Sequence, residues 1–135
     1  MREILFKAKR IDNGEWVQGA VLFHDTDATT IFNQHMGDGS LQGFEVNPST
    51  ICQYTGLKDK NGNKIWENDI LMAYLDEFYP EDATYETVEW NVAGWVGHET
   101  GSTDRQYLDK FDLEHYEVVG NTFDNPELLQ EESDE

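Results

Sequence analysis

Gln53-Tyr54-Thr55-Gly56-Leu57-Lys58-Asp59-Lys60-Asn61-Gly62, followed after Asn63-Lys64 by Ile65-Trp66-Glu67-Asn68-Asp69-Ile70, is the stretch on which the fold of this chain turns. Ile51 to Tyr54 has strand character, and Asn61-Gly62 supplies the positive φ values of a tight turn. The Lys and Asp beside that turn are expected in water. Ile65 and Trp66 then return to the core, so Tyr54, Leu57, Ile65 and Trp66 can pack across one hairpin. Asp69 is placed to accept backbone N–H bonds at the bend into Ile70. These are residue types of turns and cores, and Tyr54, Gly56, Leu57, Asn61, Gly62, Trp66 and Asp69 therefore read as a structural motif.

The same period-two reading extends in both directions. Ile4, Phe6 and Ala8 alternate with Leu5, Lys7 and Lys9, Asn13-Gly14 makes a turn, and Trp16 to His24 returns as the second strand of a hairpin. Asp25 to Gly43 reads as loops around a short strand at Thr30 to Phe32. Downstream, Ile70 to Leu75 is a continuous apolar strand, and Asp76 to Ala83 is an acidic loop containing Pro80. Val88, Trp90 and Val92 pair with Gly94-Trp95-Val96 in a further hairpin, Gly101 to Asp104 is loop, and His115 to Gly120 is extended. Leu108, Phe111 and Leu113 have the spacing of a single helical turn. Asn125-Pro126-Glu127 is a helix start, with Asn as cap, Pro at the first position and Glu at the positive dipole end. The expectation is an all-β fold, a strongly bent small barrel or a sandwich of hairpins, with a short C-terminal helix. A single domain over residues 1–130 and a frayed acidic tail at 131–135 are expected from a length of 135 residues.

Composition narrows the function. Aromatic residues make up 13% of the chain, enough large apolar groups to build a core. The longest apolar runs fall far short of the roughly 20 residues of a membrane span, and no secretory signal is visible at the N-terminus, so a cytoplasmic protein with no membrane partner is expected. The single Cys52 allows neither an intrachain disulfide nor a cysteine-only zinc site, and reads as core filler. The net charge of −19 is unevenly spread: residues 1–66 hold seven Lys/Arg and eight Asp/Glu, residues 67–135 two and twenty. The second half would repel a phosphate backbone, which argues against direct nucleic-acid binding. Asp76, Glu77, Glu81, Asp82, Glu86 and Glu89 form a candidate acidic interaction face, suited to a basic protein partner.

No phosphate-cradling Gly loop, nucleophile elbow, paired-Cys zinc site or zincin helix occurs. His24 beside Asp25 and Asp27, and His98 beside Glu99, lack the spacing of a metal motif, although folding could bring a third ligand near. The acidic residues around Phe78-Tyr79-Pro80 lack the alternation and Gly of a calcium loop. No catalytic residue, metal or cofactor is therefore assigned.

The central stretch resembles the core motif of the YopX family of bacteriophages and prophages. Arg2-Glu3-Ile4-Leu5-Phe6-Lys7-Ala8 resembles the family's opening strand, and Glu117-Val118-Val119-Gly120-Asn121-Thr122-Phe123-Asp124-Asn125-Pro126-Glu127-Leu128-Leu129 its closing segment. Asn68 departs from the pattern, standing where the family usually has Gly; Asn tolerates a left-handed backbone better than other non-Gly residues, so the turn is expected to survive. The resemblance implies a mostly β phage or prophage product, a homo-oligomer, and no specific reaction. The leading expectation is a non-enzymatic accessory protein that binds a protein partner or self-assembles, its nearly neutral Ile4 to Phe23 supplying the self-contact. The alternatives are an acidic mimic of DNA that occupies a host DNA-binding protein, and a metal-dependent enzyme using carboxylates.

Overall fold

A computed structural model describes residues 4–23, 29–34, 39–73, 84–91, 94–100, 105–108 and 115–129. These residues form eleven β-strands in two antiparallel sheets, with two short 3₁₀ helices. The expected all-β class holds. Contacts fall into two compact units, residues 1–54 and 55–135. The tail at 131–135 lies outside the described residues.

In the first unit, β1 (Phe6–Lys9) and β2 (Trp16–Phe23) form the expected hairpin, with Phe6 opposite Gly19 and Lys9 opposite Trp16. Its turn is closed by the Gly14 N–H donating to the Arg10 carbonyl at 3.0 Å, with Gly14 at φ +73°. β3 (Thr29–Gln34) pairs with β2, and β4 (Leu41–Val46) with β3. β5 (Cys52–Lys58) begins in this unit and pairs with the other side of β1. The end of β4 meets the end of β1: Ile11 N–H donates to the Glu45 carbonyl at 3.1 Å, and Asn47 N–H to the Lys9 carbonyl at 2.9 Å. Ala8, Val17, Ile31 and Val46 form the buried centre, and Val21, Phe44 and Ile51 pack against it. Gly19 permits the close approach of β2 and β3, because a β-carbon there would stand 2.0 Å from the Phe32 carbonyl oxygen.

β4 is a strand where loop was expected through Gly43. Its Gly43 carries no side chain, and the Phe32 ring of the paired strand lies where one would be, 2.7 Å from an ideal β-carbon. An aromatic residue can cover a strand glycine in this way, a compensation that only pairing reveals.

In the second unit, β6 (Lys64–Trp66) follows β5, and β7 (Asp69–Ala73), β8 (Thr84–Asn91), β9 (Gly94–Glu99), β10 (Arg105–Tyr107) and β11 (Tyr116–Asn121) make a sheet of order β10-β9-β8-β7-β11. Alternation sends Leu71, Ala73, Val88, Trp95 and Tyr116 to one face. They form a core with Ile65 from β6, and Leu57 from β5 packs against it beside Leu108 and Val118. Each unit thus has its own buried cluster, and the barrel form of the expectation does not hold: among the described residues the strand ladders form open orders, with only a single bridge between Arg10 and Val46 joining β4 back to the end of β1. Trp90 meets Trp95 edge to face at 5.0 Å between ring centroids. The expected helical turn at Phe111 and Leu113 lies outside the described residues.

The C-terminal helix is a four-residue 3₁₀ turn, Pro126–Leu129. Asn125 does not use its side chain on that turn in the bonds seen; its Oδ1 accepts the Asn121 N–H at 3.2 Å, tying the segment back to the end of β11.

Candidate functional site

The motif quoted from the sequence folds into a turn that fastens onto the edge of the second sheet. Gly62 lies at φ +83°, and the Asp59 N–H donates to the Asn63 carbonyl at 2.9 Å. Asp59 itself is 6% exposed, which corrects its expected place in water. Its Oδ1 accepts the N–H groups of Asn61 and Asn63, each at 2.9 Å, and its Oδ2 accepts that of Val118, also at 2.9 Å. A carboxylate accepts several donors at once, and here it fills the anion-binding place that the converging N–H groups of Asn61, Asn63 and Val118 create. Burial acts to raise its pKa, but the N–H groups of Val118, Asn63 and Asn61 and the Asn63 side chain outweigh that effect and hold the carboxyl below its ordinary value.

The target of these bonds is β11, an edge strand. Its register shifts between Val118 and Gly120, a bulge that exposes backbone groups. The Lys60 N–H donates to the Tyr116 carbonyl at 3.2 Å, and Lys60 Nζ stands 4.0 Å from Glu117. Farther along, Asn68 adopts φ +71°, the left-handed conformation expected for a residue replacing Gly. Its carbonyl accepts the Thr122 N–H at 3.0 Å, and Asp69 Oδ2 accepts the Trp66 N–H at 2.8 Å. The central and closing segments, more than forty residues apart in the chain, are therefore bonded to each other.

Tyr54, Trp66 and Asp69 are buried and Leu57 is half-buried, while Gly56, Asn61 and Gly62 are exposed. Gly56 takes φ +85° inside β5, where Thr55 Oγ1 donates to the Ile65 carbonyl at 2.7 Å and accepts the Leu57 N–H at 3.1 Å. Nothing stands within 4 Å of a β-carbon built at Gly56, so backbone conformation is the only obstacle to a side chain. Gly56→Ala is expected to cost about 1–2 kcal/mol in thermal or denaturant unfolding; a stability equal to wild type would show that β5 can rearrange at no cost.

The acidic face is only partly described. Asp76, Glu77, Glu81 and Asp82 lie outside the described residues. Glu86 is 7% exposed rather than on a surface, because β8 turns it to the core side beside Val88, and Gly97, paired with Val88, leaves room for its carboxylate. Glu89 lies on the other face, with Oε2 2.8 Å from His98 Nδ1 and Oε1 3.7 Å from Arg105 Nε. His98 thus meets Glu89, not its neighbour Glu99, since successive strand residues point to opposite faces. His24 lies outside the described residues, and no group of three or more His, Cys, Asp or Glu capable of holding a metal occurs among those described.

The first unit carries a different surface. Lys7 and Lys9 stand 4.7 and 5.5 Å over the Trp16 ring, and the Arg10 guanidinium stands 4.6 Å over Phe44. Arg10 also binds both oxygens of Asp12, at 2.9 and 2.6 Å, which holds the Asp12 carboxyl below its ordinary value. Two hollows of about 240 and 420 Å³ flank Ile11, which is 59% exposed. From the sequence these residues of β1 and its turn were expected only to lie within the Ile4 to Phe23 self-contact; the hollows themselves arise from the meeting of β1 and β4 and have no local signature.

A solved structure, that of protein EF1440 from Enterococcus faecalis, matches with 25% identity and a TM-score of 0.60, over 96% of this chain and 100% of the other. No curated protein matches. No helix among the described residues is long and apolar enough to cross a membrane. The family model described as YopX protein matches residues 5–130, nearly the whole length, and the chain belongs to the YopX family.

Proposed function

We propose that this chain is a non-catalytic accessory protein of a phage or prophage that acts in the host cytoplasm by binding a protein with a basic surface. The observation that carries this reading is the separation of charge. Residues 67–135 hold twenty Asp/Glu against two Lys/Arg, whereas residues 1–66 are close to balanced. Such a density raises encounter rates with cationic surfaces and opposes contact with DNA or anionic lipid. The motif residues support it too. Asp59 and Asp69, the acidic groups of the central motif, are bonded into turns, a structural role that leaves the motif without a reaction. Self-association is the second mode, through the nearly neutral first half, where like-charge repulsion is least.

The test neutralises Asp76, Glu77, Glu81 and Asp82 to Asn or Gln and follows association with a captured partner. A slower association rate with an unchanged melting temperature is expected. An unchanged rate in that variant and in one altered at Glu89 and Glu99 would leave the acidity as a solubility feature.

A further inference from the structure

We infer that the open edge of β4 at Leu41–Gly43 is a strand-addition site for an extended segment of a partner protein, apolar at its centre and carrying Lys or Arg beside Glu45. The site adds a contact on the first unit, apart from the acidic residues 67–135, and rests on the binding reading above for the basic character of the partner. The Glu45 carbonyl accepts from Ile11, on the side of β4 away from β3. Antiparallel ladders alternate, so Gly43 and Leu41 also turn their N–H and C=O groups to that side. β1 occupies the edge only as far as Ile11, where the chain leaves into the turn at residues 11–13. Beyond that point Leu41 and Gly43 have no bonded neighbour on their outer side among the described residues, and Leu41 is 75% exposed.

The space that a continued β1 would fill is the hollow of about 240 Å³ lined by Arg10, Ile11, Asp12, Gly43, Phe44 and Glu45. An extended backbone matches the outward N–H and C=O groups of Leu41 and Gly43, and one aliphatic side chain fits the hollow against Ile11 and Phe44. Edges exposed to water are normally blunted by charge, Pro or a bulge, yet Leu41-Gln42-Gly43-Phe44 carries none of the three. The ends of the hollow fix the charge of the occupant. Arg10 is already neutralised by Asp12, whereas Glu45 is exposed and has no cation bonded to it among the described residues. A basic side chain therefore suits that end, in keeping with the negative field of the whole chain.

The probe is the acetylated and amidated peptide Lys-Val-Thr-Val-Thr-Val-Lys, titrated into the full ¹⁵N-labelled chain. Binding should shift the amide signals of Leu41, Gly43 and Glu45 and slow their hydrogen exchange. Leu41→Pro removes an outward N–H at the first residue of the strand, a place where Pro is tolerated. It should weaken the peptide about tenfold with an unchanged melting temperature. The same peptide methylated on alternate backbone nitrogens should not bind, which tests the site without altering the protein. No shift of these amides at millimolar peptide would overturn the inference, as would equal affinity for Leu41→Pro. Dilution of the protein alone moving the same amides would assign the edge to a second copy and overturn it too. A charge-neutralised second half that still slows a captured partner would then stand apart from the failure of this site.

Discussion

Replacing Trp66 with Ala should lower stability by about 3–5 kcal/mol, the usual cost of deleting a large buried aromatic side chain. Trp66 is 5% exposed and ends β6, next to Ile65 at 0%. Its loss leaves a cavity beside the bend where its own N–H is bonded to Asp69. For a chain of this size a loss of that magnitude corresponds to a fall of roughly 10–15 °C in melting temperature. Lys60→Ala is the control, since it keeps the backbone donor to Tyr116 and loses only a partly exposed ion pair with Glu117 at 4.0 Å. Such a pair contributes about 0–1 kcal/mol. A normal melting temperature for the Trp66 variant would remove the central hairpin from the core.

The second expected effect is both structural and pH-dependent. Asp59→Asn keeps the shape of the side chain but puts an NH₂ group against backbone donors, and should cost about 2–3 kcal/mol at neutral pH. The sign of the pH dependence follows from the pKa. The folded-state value lies below the unfolded one, so the carboxylate contributes stability above the unfolded pKa of about 3.9 and loses it as pH falls through the folded value. The gap between wild type and Asp59→Asn should therefore be widest near neutral pH and close below about pH 4. Denaturant melts across that range supply the measurement. A gap that stays constant down to the acid limit would mean that the Val118, Asn61 and Asn63 donors do not depend on the charged form.

The strands most legible in the sequence were those whose sidedness is local. Ile4, Phe6 and Ala8 alternate with Lys, and Asn13-Gly14 and Asn61-Gly62 announce their turns, so β1, β2 and the turn into β6 could be read directly. β4 could not, because Gly43 is covered by Phe32 from a partner strand. β10 is three exposed residues with no apolar face, and only its register with β9 makes it a strand. Asp59 misled for a related reason. An Asp beside Asn-Gly is ordinarily a solvated turn residue, and its burial here depends on Val118, 59 residues away. Asn68 went the other way, since a departure from the family pattern could be judged from the backbone demand on that position alone. The acidic excess was countable from the sequence, but the placement of each carboxylate was not: Glu86 faces the core and Glu89 is held by His98 and Arg105.

Binding that rests on charge must weaken with salt. Wild type and the variant neutralised at Asp76, Glu77, Glu81 and Asp82 are immobilised side by side, and bound host proteins are compared at about 0.05 M and about 0.5 M salt, where the screening length falls severalfold. A basic protein is expected to be held by wild type at low salt, released at high salt and poorly retained by the variant. Equal retention of that protein by both chains at both salt concentrations would contradict the binding reading.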